Sequence, residues 1–87
     1  MPYVLIVTKV EDFAKWKPAY DAHESIRKAA GLTQRHLLRN ADNPNEVVLL
    51  FEVSDLEKAR AFASSADLRQ KMQESGVVGK PELYFLK

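Results

Sequence analysis

The 87-residue chain contains no cysteine, which excludes disulfides, thiolate metal sites and catalytic thiols. It also lacks a dominant charge. Acids and bases are interleaved and the formal net charge is +1, so nothing marks a nucleic acid or other polyanion as a partner. No apolar run is long enough to span a bilayer. The opening MPYVLIVTKVED has neither a cationic n-region nor a cleavage site, and a cytoplasmic protein with no membrane partner is expected. There is no glycine-rich loop entering a helix, as a phosphate site would want; GVVGKP (76–81) leads into a strand instead.

What is present describes an ordinary globular protein: 46% of residues are hydrophobic and 29% charged, enough for a single domain over residues 1–87. A domain this small buries a modest fraction of its surface and gains from an oligomer interface.

YVLIVTK (3–9) is apolar at both parities, the pattern of a strand covered on both faces. Asp12 is an N-cap candidate for a helix running to about Ala30, with Gly31 after it. Pro18 implies either a kink or a turn over 12–17 followed by a helix that starts at Pro18. LTQRHLLRN (32–40) and EVVLLFEV (46–53), joined by the turn ADNPN, predict an antiparallel hairpin. SDLE, opening at Ser54, has the form of a capping box for a helix DLEKARAFA. SSAD (64–67) predicts a further short helix, roughly Ala66 to Glu74, and ELYFLK is the last strand after a 76–81 loop. This order predicts an α+β fold, a ferredoxin-like βαββαβ subunit with a four-stranded antiparallel sheet carrying its helices on one face. Val47, Leu49, Phe51 and Val53 alternate with Val48 and Leu50. The uncovered sheet face would therefore be a large apolar patch, and a homodimer packed face to face is expected.

The same element order serves several functions. The third strand has no Gly-aromatic stacking motif for RNA, and without Cys-x-x-Cys a soft-metal carrier is excluded. The positive signal is on the first helix. Phe13, Trp16, Tyr20, His23, Arg27 and Ala30 fall within an arc of about 100°, aromatic at its start and polar in its middle. Buried polar groups must be hydrogen-bonded, so two readings stay open. Either these side chains satisfy one another in a packed core, or they line a pocket. In the pocket reading Trp16 and Tyr20 are walls, His23 is the acid/base or an orienting donor, and Arg27 holds an oxyanion. With a five-residue turn, Gln34, His36 and Leu38 share a face with Val48, Leu50 and Glu52. If that face points to the helices, His36 and Glu52 join the substrate-binding set; if not, they belong to the interface. His23, His36 and Glu52 have no dense ligand spacing, so no metal is expected. Lys80, between glycine and proline, reads as a surface lysine.

Taken together, DFAKWKPAYDAHESIRKAAG, VVLLFEVSDLEKARAFASS and LYFL resemble the dimeric α/β-barrel superfamily, and within it the small proteins related to antibiotic biosynthesis monooxygenases. The resemblance spans nearly the whole chain and rests on pattern, not on a short signature. It implies two sheets packed into a barrel across a dimer, and a pocket in each subunit between sheet and helices. It also implies chemistry on small aromatic or carbonyl compounds, as a monooxygenase needing no bound cofactor or as a cyclase or isomerase. Monooxygenases of that family often carry a histidine in the helix after the third strand. Here that helix reads LEKARAFASS, which leaves His23, on another helix, as the candidate.

Overall fold

The computed structural model describes residues 2–87. Its elements run β1 (Tyr3–Val10), α1 (Phe13–Ala22), α2 (Glu24–Ala29), β2 (Leu32–Arg39), β3 (Glu46–Val53), α3 (Leu56–Ala63), α4 (Ala66–Glu74) and β4 (Val77–Leu86). The four strands form one antiparallel sheet in the order β2-β3-β1-β4, the ferredoxin-like α+β arrangement. Each of the two helical connections is broken into two short helices.

The doubly apolar strands divide by parity. Val47, Leu49, Phe51 and Val53 of β3, with Val4 and Val10 of β1, are buried toward the helices together with Trp16, Leu32 and Ala59. The alternate residues lie on the other face, where Leu38, Val78, Tyr84 and Leu86 remain between 41% and 57% exposed. No helix among the described residues is long and apolar enough to cross a membrane.

The helix starts follow local capping chemistry. The Asp12 carboxylate accepts from the Ala14 amide at 2.9 Å, and Asn45 Oδ1 accepts from the Phe13 amide at 3.0 Å. The hairpin turn thereby fixes the start of α1. The cap of α3 is Asp55, accepting from the Glu57 and Lys58 amides, not Ser54 as the Ser-x-x-Glu pattern suggested. A carboxylate one residue later brings one oxygen, Oδ1, within reach of both orphan amides, at 2.9 and 3.4 Å. Ser65 caps α4 through the Leu68 amide.

Of the two expectations about Pro18, the helix that starts there is corrected, and the Asp12-capped helix running through it is found. The helix starts at Phe13, passes through Pro18 and ends at Ala22. Pro18 and Ala14, whose carbonyl loses its usual donor, are both exposed residues, where a missing helix bond costs less. The break falls instead at His23, which caps the end of α1 and the start of α2. β4 also begins earlier than expected, because 77–81 is strand and not loop. The β1–β4 register shifts between Val7 and Lys9, the β4 residues 79–81 having no partner on β1. Pro81 has no amide to donate, and Gly79 holds φ at +73°, the materials of a bulge.

Gly31 turns the chain from α2 into β2 at φ +84°, and a Cβ there would sit 2.4 Å from Ser54 Oγ. Gly79 has a similar φ with open space around it. Gly31→Ala is therefore expected to destabilise the fold by about 1–3 kcal/mol, and Gly79→Ala by less, because only backbone strain acts there. Equilibrium denaturant unfolding of both variants checks the order.

Candidate functional site

A cavity of about 400 Å³ lies between the helices and the sheet. Its floor is Val4, Ile6, Thr8, Leu49 and Phe51. Trp16, Tyr20, His23 and Arg27 line it from α1, α2 and their junction, and Phe62, Leu68 and Met72 from α3 and α4. The lining is mostly apolar with a few polar groups, the usual constitution of a small-molecule site.

The end of α1 positions the polar groups. At the break, the His23 amide donates to the Tyr20 carbonyl at 3.2 Å, three residues back. This frees the Ala19 carbonyl, four residues back, and His23 Nδ1 lies 2.8 Å from that oxygen. A carbonyl can only accept, so Nδ1 carries the proton, and in the neutral ring Nε2 is the unprotonated acceptor. Arg27, one turn further, donates from Nη1 to the Tyr20 carbonyl at 2.6 Å, and its guanidinium carbon sits 3.6 Å from the centre of the Tyr20 ring. Both cationic or potentially cationic groups are thus tied to carbonyls at the negative end of the α1 dipole. Trp16 stacks on Tyr20 with ring centres 4.7 Å apart and planes inclined by 26°, and Phe13 continues the aromatic row at 5.7 Å from Trp16.

The Tyr20 hydroxyl donates to Gln34 Oε1 at 2.6 Å. Gln34 reaches it because of a bulge that the sequence pattern did not disclose. His36, Leu37 and Leu38 pair with Leu50, Leu49 and Val48, as a five-residue turn requires, but Gln34 pairs with Phe51 and Thr33 with Glu52. One extra residue, Arg35, is accommodated between them. It moves Gln34 to the helix side, with Phe51, and leaves His36 on the outer side, with Leu50.

His36 and Glu52 share a face, as the turn length predicts, but it is not the one that meets the helices, so their place beside His23 and Arg27 is corrected. Both lie on the outer sheet face and neither lines the cavity. Glu52 is ion-paired to Arg35. Among the described residues, no group of three or more His, Cys, Asp or Glu side chains is placed to hold a metal ion. Sequence reasoning missed five polar members of the lining or its wall: Thr8, Gln34, Asp67, Lys71 and Ser75. For Thr8 a signal existed, as it is the polar residue in the series Val4, Ile6, Thr8, Val10.

Burial dominates the acid–base properties of the helix pair. It raises the Tyr20 phenol from 10.0 to about 12, against the opposing field of Arg27 and with small contributions from Asp21 and Glu24. Burial also lowers Arg27 from its ordinary value, while the neighbouring Tyr20, Glu24 and Asp21 act the other way. The phenol is therefore a hydrogen-bond donor at neutral pH, not a base.

No family model matches the chain, and no curated protein matches it in sequence. Solved structures do match. A protein from Bordetella bronchiseptica, whose name gives antibiotic biosynthesis monooxygenase as a provisional activity, superposes with a TM-score of 0.79 at 14% identity, over 99% of this chain and 94% of that one. SnoaB, a cofactor-independent oxygenase from Streptomyces nogalater, superposes with a TM-score of 0.68 at 14% identity, over 95% of this chain and 89% of that one. A NIPSNAP domain protein from Burkholderia xenovorans also superposes, with a TM-score of 0.68 at 12% identity, over 100% of this chain and 93% of that one. The chain has the fold of the antibiotic biosynthesis monooxygenase-like α/β proteins; at these identities the likeness speaks for fold.

The raised Tyr20 pKa has a consequence for stability. The unfolded phenol ionises near 10.0 and the folded one near 12, so between these values the unfolded state holds fewer protons and stability falls as pH rises. The expected loss across that window is on the order of 2 kcal/mol, fully absent below pH 10. Tyr20→Phe should flatten this slope and remove the last phase of the tyrosinate absorbance titration; denaturation midpoints measured from pH 9 to 12 check the first, and ultraviolet titration the second.

Proposed function

We propose that the cavity binds a small, largely apolar aromatic or carbonyl compound and that His23 accepts a proton from it. The observation that carries this reading is the orientation lock on His23. Its Nδ1 proton is committed to the Ala19 carbonyl, which makes Nε2 the nitrogen available to a ligand in the cavity that His23 lines. In the step proposed, an acidic O–H or C–H bond of the ligand breaks, an N–H bond forms at Nε2, and the electron pair stays on the ligand as a phenolate or enolate. Arg27, a guanidinium beside the same cavity, stabilises that anion. Trp16 and Tyr20 form the flat wall against which an aromatic ring stacks.

An electron-rich anion of this kind is where an oxygenase without a cofactor would begin, with dioxygen as oxidant. Reprotonation at a different carbon would instead give an isomerase or, after ring closure, a cyclase. The likeness in fold to SnoaB and to proteins named as monooxygenases supports the first.

A homodimer completes the molecule in this reading. The outer sheet face presents Leu5, Val7, Leu50 and, well exposed, Leu38, Tyr84 and Leu86, an apolar surface of the kind that marks an interaction site. Its occupant is a second copy, whose sheet offers the same face by symmetry. His36 and the Arg35–Glu52 pair then sit at the interface and not in the pocket.

The competing function is a binding or assembly domain without catalysis, in which the same contacts merely order the core. His23→Ala separates the two. A melting temperature within a few degrees of the parent, with binding lost across a panel of quinols and aromatic acids, is the outcome expected. A large fall in melting temperature, with no ligand found for the parent either, would overturn the pocket. Light scattering at micromolar concentration should return a dimer, and Leu50→Glu should return a monomer. A monomeric parent would remove the dimer from this reading.

A further inference from the structure

The four helices are not equally held. α1 buries Trp16 and Tyr20. α3 buries Ala59, packs Leu56 and Phe62 against the core, and lays Arg60 over the Phe85 ring at 4.4 Å. α2 buries no residue, but the Arg27 side chain ties it to the Tyr20 carbonyl. α4 has neither kind of hold. None of its nine residues is buried. Its apolar side chains, Leu68 and Met72, are half-buried, and among the described residues neither packs against the core cluster. Both line the cavity instead, together with Asp67 and Lys71. These four are spaced as one side of a helix, so that side of α4 lies over the cavity and not on packed neighbours.

The polar contacts agree. Gln70 meets Glu74 at 3.3 Å and Lys71 meets Glu74 at 3.9 Å, both within the helix. Among the described residues, no side chain of α4 bonds another strand or helix. The helix is secured only at its ends. Ser65, its N-cap, donates from its amide and its hydroxyl to the Phe62 carbonyl, at 3.1 and 2.9 Å. After Ser75, Gly76 turns the chain at φ +89°, and its carbonyl accepts from the Glu11 amide at 2.9 Å. A helix this short is marginal without packing. A segment with few buried apolar contacts opens locally at low cost.

We infer that α4 is a lid on the cavity and that Leu68 and Met72 are specificity-determining residues. The lid swings on its two ends to admit the ligand. On closing, Leu68 and Met72 meet the ligand's apolar body, which supplies the packing that the fold withholds from them. Leucine sets a fixed shape there, while the unbranched methionine adapts to the outline of the ring. The inference rests on the pocket reading and deepens it by assigning the wall that selects the ligand.

Amide hydrogen exchange read by mass spectrometry, with β-naphthol as the probe, tests this. In the free protein the α4 amides are expected to exchange about tenfold or more faster than those of α3. With β-naphthol at about ten times its Kd they should slow about tenfold, because the closed form alone binds the probe. Leu68→Ala and Met72→Ala are each expected to keep the melting temperature within a few degrees of the parent and to weaken β-naphthol binding about tenfold, read by its fluorescence. Leu56→Ala, the same truncation on the anchored helix, should lower the melting temperature clearly. If α4 in the free protein exchanges no faster than α3, it is not a lid and the inference is wrong whatever binds. If β-naphthol binds but leaves α4 exchange unchanged, or Leu68→Ala lowers the melting temperature as much as Leu56→Ala does, α4 is a fixed structural wall; the inference is then wrong and the pocket reading stands. If β-naphthol does not bind the parent at millimolar concentration, the pocket reading itself has failed and the inference with it.

Discussion

The arrangement depends on where α1 stops. A helix leaves its last carbonyls short of intrahelical donors, and here two of them, those of Ala19 and Tyr20, meet side chains from the residues that follow. The Ala19 oxygen faces His23 Nδ1, and the Tyr20 oxygen accepts from Arg27. Had the helix continued through His23, the His23 amide would have claimed the Ala19 carbonyl, and the imidazole would have had no fixed tautomer. The break converts a backbone need into a side-chain constraint, and it does so beside the cavity. The two readings of the helix face, mutual satisfaction or an open pocket, thus turn out to be compatible. One nitrogen of the imidazole is satisfied internally and the other is left free.

The sheet performs the complementary task of sorting. Its central strands are apolar on both faces, so burial alone does not distinguish inside from outside; parity and register do. β3 keeps one parity without interruption, and its Val47, Leu49, Phe51 and Val53 form the floor under the helices. β2 changes parity at Arg35. Its first half contributes Gln34 to the tyrosine network, and its second half contributes His36 and Leu38 to the outer surface. One strand therefore serves two environments, and a single inserted residue separates them.

Much of this was legible beforehand, and the failures have physical causes. β3, the hairpin turn and the extent of α4 follow from alternation, turn residues and a serine cap, all local signals. The grouping of Trp16, Tyr20, His23 and Arg27 does not depend on where the helix starts, because residues three and four apart stay together across a short break. The bulge at Arg35 was not legible. Its cause lies in cross-strand packing, where Gln34 meets Tyr20 and Arg35 meets Glu52, and a run such as TQRHLL carries no glycine to announce it. The start of β4 was hidden for the opposite reason: two glycines and a proline look like a loop, yet Gly79 and Pro81 lie in a bulge within a continuing strand. For the site, alternation rightly grouped His36 with Glu52, but a β3 apolar at both parities does not tell which face meets the helices, and Thr8 reads as an ordinary strand residue.

The two bulges share a location that bears on how the protein behaves when concentrated. β2 and β4 are the edges of the sheet, and each carries an irregularity, at Arg35 and at Gly79–Pro81. A straight edge invites another strand to add to it, and addition of that kind has no natural end. Here both edges are bent, and one has a proline where a donor would be needed. Strand-by-strand growth into fibrils is disfavoured on either side, while the flat apolar face stays open to a single matching surface. The irregular edges thus leave the outer sheet face, and not the strand edges, as the surface suited to a partner.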